Sequence, residues 1–134
     1  MTVALDTSAL LALSIDGAAR PLVLAAMDDD PVWSTSALAL SEALPTIDRL
    51  TDETDLRNDL EDGVRLTWDH LHVVPVDQRC LDEAAALARA QPLRLMSAIH
   101  LIAAVRMPPP VRFVTFDPAQ IGVALSVGLD VVSA

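Results

Sequence analysis

Apolar and polar positions along this chain switch repeatedly between strand-like runs and helix-like spacing. Val3-Ala4-Leu5 is a short unbroken apolar run, as in a strand buried on both faces. Asp6, Thr7 and Ser8 then bring side chains able to cap a helix, and Leu10, Leu11 and Leu13 follow at helical spacing. After a break at Asp16-Gly17, residues 18–27 read as a helix with Pro21 in its first turn, and Asp28-Asp29-Asp30-Pro31 as a solvated turn. Val32-Trp33-Ser34 predicts a second strand. Thr35 and Ser36 offer caps to a helix starting near Ala37, with Leu40, Leu44 and Ile47 as its apolar stripe. Glu42 lies off that stripe near the helix start. Pro45 lacks the amide hydrogen that would bond the Ser41 carbonyl, which predicts a kink or a split.

Residues 51–70 are the most polar segment and read as an amphipathic helix with a charged outer face. Residues 71–76 predict a third strand, and Asp77 caps a helix over 78–90. A further helix spans 93–106, with Leu95, Ile99 and Ile102 on one face and Arg94, Ser97 and His100 along a polar edge. Pro108-Pro109-Pro110 stops it and makes a stiff connector. Residues 111–116 form the clearest strand. Asp117-Pro118 caps a last helix closed by Gly128, and residues 129–132 supply a final short strand. Strands alternating with helices, without hairpin signals, predict a parallel sheet covered by helices on both faces.

Length and composition fit that picture. A chain of 134 residues, 52% hydrophobic and with mean hydropathy +0.40, predicts a single domain over 1–134 with a filled core. No apolar run approaches the ~18 residues that span a membrane, and no basic segment precedes an apolar one as in a signal peptide. Cys80 is the only cysteine, which excludes an internal disulfide and a cysteine-rich zinc site. A reducing cytoplasm is the expected location. Net charge is −10, and all nine basic residues are Arg. Such a chain is a poor general polyanion binder, since that affinity comes from neutralising phosphates. Any action on nucleic acid requires metal ions and a local Arg patch to overcome the repulsion. The four glycines form no nucleotide-binding fingerprint, and without lysine a P-loop lacks its cation.

The chemistry that remains is carboxylate chemistry. Asp6 follows the first strand, Asp117 follows the strand ending at Phe116, and Glu42 begins a helix between them. A parallel sheet brings these positions to one rim, at the carboxyl ends of its strands. Clustered carboxylates repel unless a cation lies among them. A hard dication such as Mg²⁺ or Mn²⁺ takes oxygen ligands, keeps several waters, and supports attack of a bound water on a phosphodiester. The plainer alternative for Asp6 is a helix cap.

Four ordered blocks carry a resemblance over nearly the whole chain. They are Leu5-Asp6-Thr7-Ser8-Ala9-Leu10, residues 36–44 around Glu42, residues 93–101 around Ser97 and His100, and Val114-Thr115-Phe116-Asp117. In order and spacing they resemble the motifs of PIN domains, above all the VapC-type toxins of toxin–antitoxin pairs. The resemblance implies a three-layer α/β/α PIN-like fold with a central, mostly parallel sheet of about 4–5 strands. It also implies Mg²⁺- or Mn²⁺-dependent endoribonuclease activity on an RNA substrate, a homodimer, and inhibition by a cognate antitoxin protein. Matched position by position, Asp6, Glu42 and Asp117 are metal-binding acids, and Thr7 and Thr115 match hydroxyls that flank them. Ser97 stands where the family pattern has its third acid. A serine is a neutral and weaker ligand for a hard dication, so metal affinity is expected to fall, with Ser97 at most a water-mediated contact. His100 keeps its family position and reads as a hydrogen-bonded buried histidine rather than a ligand. Two rival readings stand beside this one: a PIN-fold binding module without turnover that pairs with an antitoxin or partner protein, and a small phosphatase working through Asp6.

Overall fold

The computed structural model describes residues 1–134. Five parallel strands form one sheet in the order β3-β2-β1-β4-β5. They are β1 (Thr2–Leu5), β2 (Val32–Ser36), β3 (His72–Val74), β4 (Val111–Val114) and β5 (Asp130–Val132). The connecting helices are α1 (Thr7–Ala12), α2 (Ala19–Asp29), α3 (Leu38–Leu50), α4 (Thr54–Trp68), α5 (Gln78–Ala90), α6 (Leu95–Val105) and α7 (Pro118–Ser126). No helix is long and apolar enough to cross a membrane.

Alternation along the central strands divides the core in two. Val3 and Leu5 of β1, with Val114 of β4, face a cluster built from α1 through α4. Ala4, Val111 and Phe113 face the opposite side, where Leu101 and Ala104 of α6 and Val123 and Ala124 of α7 pack on them. Helix α5 joins that second layer by packing on α6 through Cys80, Ala84, Ala98 and Ile99. The result is the three-layer α/β/α architecture expected from the alternating pattern. Sequence order runs outward from β1 in both directions, so the chain reverses its progress across the sheet between β1 and β4. In open parallel sheets the crevice at such a reversal, beyond the carboxyl ends of the strands, is where ligands bind.

Several local expectations change. Thr35 and Ser36 cap no helix; they extend β2, and α3 starts after Ala37 without a side-chain cap. Their hydroxyls are used sideways: Thr35 Oγ1 donates to the Leu5 carbonyl at 2.8 Å, and Ser36 Oγ lies 2.9 Å from His100 Nδ1. Pro45 does not split α3, which runs through it from Leu38 to Leu50. The Ser41 carbonyl it leaves unpaired belongs to an exposed residue and can bond water. The buried stripe of α3 is Ala39, Ala43 and Ile47, with Leu40 half-buried against the same core. Asp28 and Asp29 close α2 instead of forming a turn, and Asp30 is buried, its Oδ2 3.9 Å from Arg112 Nε. Helix α6 has no polar outer edge: Ser97 through Ala104 are all buried, while Leu95 is half exposed.

Candidate active site

Each of the three acids owes its place to a strand-to-helix junction. Asp6 leaves the end of β1 in an extended conformation and caps α1, its Oδ1 accepting from the Ala9 amide at 2.9 Å. Asp117 caps α7 in the same manner through the Ala119 amide at 3.1 Å, with Pro118 preset for the first helical turn. Glu42 sits in the second turn of α3, after β2. Asp6, Glu42, Asp117 and Ser97 line one cavity of about 400 Å³. Of its twelve lining residues only Leu11 is hydrophobic, and Arg49 and Arg94 supply positive charge.

Asp6 is 1% exposed, yet all its acceptor capacity is used. Besides the Ala9 amide, Oδ1 accepts from Ser8 Oγ at 2.6 Å. Oδ2 accepts from Thr115 Oγ1 at 2.6 Å and from Gln120 Nε2 at 3.0 Å. Two of these donors are themselves tethered: Ser8 Oγ accepts from the Phe116 amide at 2.9 Å, and Thr115 Oγ1 from the Asp117 amide at 3.1 Å. The end of β1, the start of α1 and the end of β4 are thereby stitched around one carboxylate.

Glu42 is held differently. Its Oε1 accepts from Thr7 Oγ1 at 2.8 Å and makes a short contact with His100 Nε2. An ionised carboxylate can only accept, so His100 Nε2 donates to Glu42, while Nδ1 on the other side of the ring is hydrogen-bonded to Ser36 Oγ. The hydrogen bond from His100 holds the Glu42 carboxyl below its ordinary range, against the opposing effect of burial; Thr7 and the more distant charge of Arg94 act in the same direction as His100. His100 is thus a buried histidine that orients Glu42, and four elements (α1, α3, α6 and β2) meet at this pair. Asp117 remains more accessible, with Arg94 reaching to 4.0 Å of its Oδ2.

The oxygens gathered here suit a hard cation, but their spacing sets a limit. No group of three or more His, Cys, Asp or Glu is arranged to hold an ion. Mg²⁺ usually keeps several waters and uses one or two carboxylates, in contrast to an all-protein cage. A water-rich dication held by one or two of these acids fits the donor set; a cage of three direct carboxylates does not. One further atom points to an unfilled partnership, because Gln120 Oε1 is buried with no hydrogen-bond partner.

Sequence reasoning singled out Asp6, Glu42, Ser97 and Asp117, and the structure places all four on the cavity. Thr46, Arg49 and Gln120 also line it and were not anticipated. For Gln120 a signal existed: Asp117-Pro118-Ala119-Gln120 has the spacing of a capping box. Its side chain instead crosses to Asp6. Of the other arginines, Arg106 pairs with Asp77 at 3.0 Å and Arg112 with Asp29 at 3.4 Å, and neither lines the cavity.

A five-stranded parallel sheet with an acidic crevice at its reversal point defines an α/β/α domain whose chemistry lies at the carboxyl edge. The PIN domain family matches residues 3–131, and the chain belongs to that family. Its fold is similar to VapBC2 from Rickettsia felis, solved bound to a promoter DNA fragment (TM-score 0.71, 11% identity, covering 100% of this chain and 99% of that one). It is also similar to a toxin–antitoxin complex from Klebsiella pneumoniae (TM-score 0.70, 18% identity, 95% and 94% covered). A third similar structure is VapBC-5 from Mycobacterium tuberculosis (TM-score 0.68, 17% identity, 99% and 98% covered). Among curated proteins no sequence matches significantly.

Proposed function

We propose that this chain is a metal-dependent endoribonuclease of the VapC toxin type, acting in the cytoplasm as a homodimer and restrained by a cognate antitoxin. One observation carries the reading: Asp6, Glu42 and Asp117, which come from three separate strand–helix junctions, line a single polar cavity at the carboxyl edge of a PIN fold. PIN domains are generally nucleases. The toxin–antitoxin complexes among the structural neighbours support the toxin assignment and the antitoxin partner.

Asp6, Glu42 and Asp117 would hold Mg²⁺ or Mn²⁺, directly or through its waters. Such an ion supplies a nucleophilic water at neutral pH and stabilises charge developing on the phosphate. The chain's own residues prepare the site. The Ala9 amide and the Ser8, Thr115 and Gln120 side chains fix the direction of Asp6 by filling its acceptor positions. His100, itself braced on Ser36, fixes Glu42. Arg49 and Arg94 are the cations at the cavity available to phosphates, which the rest of this acidic surface repels.

Ser97 leaves the site one negative charge short of the family pattern, so weak turnover is expected. The test is RNA cleavage with Mn²⁺ by the native chain, Asp6→Asn and Ser97→Asp. Metal-dependent cleavage that is lost in Asp6→Asn and rises in Ser97→Asp supports the reading; no cleavage by the native chain and none gained in Ser97→Asp defeats it. A second reading, a PIN-fold binding module without turnover, draws on the lack of a three-ligand cluster and on Arg94 standing 4.0 Å from Asp117. An acidic site in which an arginine already occupies part of the space can equally receive an arginine from a partner. That reading expects partner binding to persist in Asp6→Asn.

A further inference from the structure

The amide of Gln120 is the least anchored group around Asp6. A carboxylate offers about four acceptor positions, and those of Asp6 are filled by Ala9, Ser8, Thr115 and Gln120. The first three donors are committed. The Ala9 amide is fixed by the start of α1, and the Ser8 and Thr115 hydroxyls each also accept from a backbone amide. Gln120 is buried to 3% exposure, yet only one end of its amide is used: Nε2 donates to Asp6 Oδ2, and Oε1 has no partner. Buried amide oxygens are seldom left without a hydrogen-bond donor, and an orphan of this kind calls for an explanation.

We propose that Gln120 is a cation-dependent ligand of this site, donating its amide to Asp6 in the absence of metal and turning its oxygen toward a divalent cation when one binds. The proposal rests on the metal-dependent reading above and adds a residue to it. Rotation about the last side-chain bond exchanges Nε2 and Oε1 with little movement of the rest of the residue. The exchange would set an amide oxygen where the nitrogen now is, 3.0 Å from Asp6 Oδ2. Two oxygens at that distance repel unless a cation lies between them. In an octahedral shell with bonds of ~2.1 Å, neighbouring ligand oxygens are ~3.0 Å apart. The spacing already present therefore suits two adjacent ligands of one ion. The rotation also releases the Oδ2 acceptor position that Gln120 now occupies, while Thr115 keeps the other. Ser97 contributes no charged oxygen to this cavity, and Gln120 supplies an uncharged one from α7.

Three roles for Gln120 give three different results. As a ligand, its replacement by Leu weakens cation binding. As a mere occupant of Asp6, its replacement strengthens binding by freeing an acceptor. As packing alone, its replacement changes nothing. The experiment is titration of the full chain with Mn²⁺, reading free ion by electron paramagnetic resonance, for native protein, Gln120→Leu, Gln120→Glu and Asp6→Asn. Circular dichroism melting without metal checks that each is folded. Binding by native protein is expected to weaken ~10-fold in Gln120→Leu and tighten ~10-fold in Gln120→Glu, the scale on which groups supporting a metal site act. Native binding with unchanged or tighter binding in Gln120→Leu overturns the proposal while leaving the metal-dependent reading intact. Native protein that binds no Mn²⁺ overturns both. Should Gln120→Leu fail to fold, Gln120→Glu decides, and unchanged affinity there overturns the proposal.

Discussion

At the scale of single residues the site is governed by what each carboxylate oxygen already accepts. Asp6 faces four donors, so Asp6→Asn replaces an acceptor oxygen by an NH₂ group pointing at donors. Rotating hydroxyls relieve part of that conflict, but the Ala9 amide cannot turn. The variant is expected to lose about 1–3 kcal/mol of stability, read by urea unfolding without metal, in addition to losing activity. An equally stable Asp6→Asn would show that this network contributes little. Glu42 makes a prediction in pH. Its carboxyl is held below the ordinary value of 4.5, chiefly by the His100 hydrogen bond, so the folded state binds this proton less readily than the unfolded state does. The resulting stabilisation is present above 4.5 and lost as pH falls through the lowered folded-state value. In urea unfolding, the stability advantage of native protein over Glu42→Gln should therefore shrink as pH drops below 4.5. An advantage that widens there contradicts the assignment.

At the scale of elements, Pro45 offers the simplest test. It stands on the exposed side of α3 and deprives the Ser41 carbonyl of its helical partner. Proline in a helix interior is about 3 kcal/mol worse than alanine, while its stiffness reduces unfolded-state entropy by about 1 kcal/mol in compensation. Pro45→Ala is expected to stabilise the chain by about 1–2 kcal/mol, visible as a rise of about 4–7 °C in Tm for a domain of this size. No rise would mean that the proline is needed for the shape of α3. The same helix shows what the sequence does and does not reveal. Element order was readable because the apolar pattern changes period at every junction, and α5 is found at Gln78–Ala90 as that pattern predicts. Asp6 and Asp117 were readable because a polar residue between an apolar run and a helical stripe marks a strand–helix junction. Thr35 and Ser36 share that local signature but bond sideways, to Leu5 and His100, and no periodicity distinguishes a cap from a cross-strand hydroxyl. Ser97 and His100 looked like a polar edge because two layers closing over α6 cannot be seen from spacing alone. The tie from Gln120 to Asp6 was hidden for a similar reason, since the two lie 114 positions apart and the local spacing points instead to a capping box.

At the scale of the whole molecule, charge sets the conditions under which the site works. Nineteen acids face nine arginines, and several of those arginines are already paired with acidic neighbours one helical turn away. The excess of ten negative charges opposes compaction and repels a polyanion, and both effects weaken as salt shortens the screening length to ~10 Å at 0.1 M. Sodium chloride should therefore raise Tm modestly in every variant, because screening does not depend on the site. A dication bound among Asp6, Glu42 and Asp117 should add a separate increment that saturates. At a free concentration ten times its dissociation constant, the linkage RT ln(1 + [L]/Kd) gives about 1.4 kcal/mol. For 134 residues, an unfolding entropy of roughly 2.1 cal/mol/K per residue turns that into about 5 °C. Melting curves in MnCl₂ and in NaCl of matched ionic strength separate the two contributions. The native chain should show the saturating excess with Mn²⁺, and Asp6→Asn should show only the salt response. If both proteins respond alike, divalent stabilisation belongs to the acidic surface in general, and the cavity at the carboxyl edge of the sheet has no special claim on the metal.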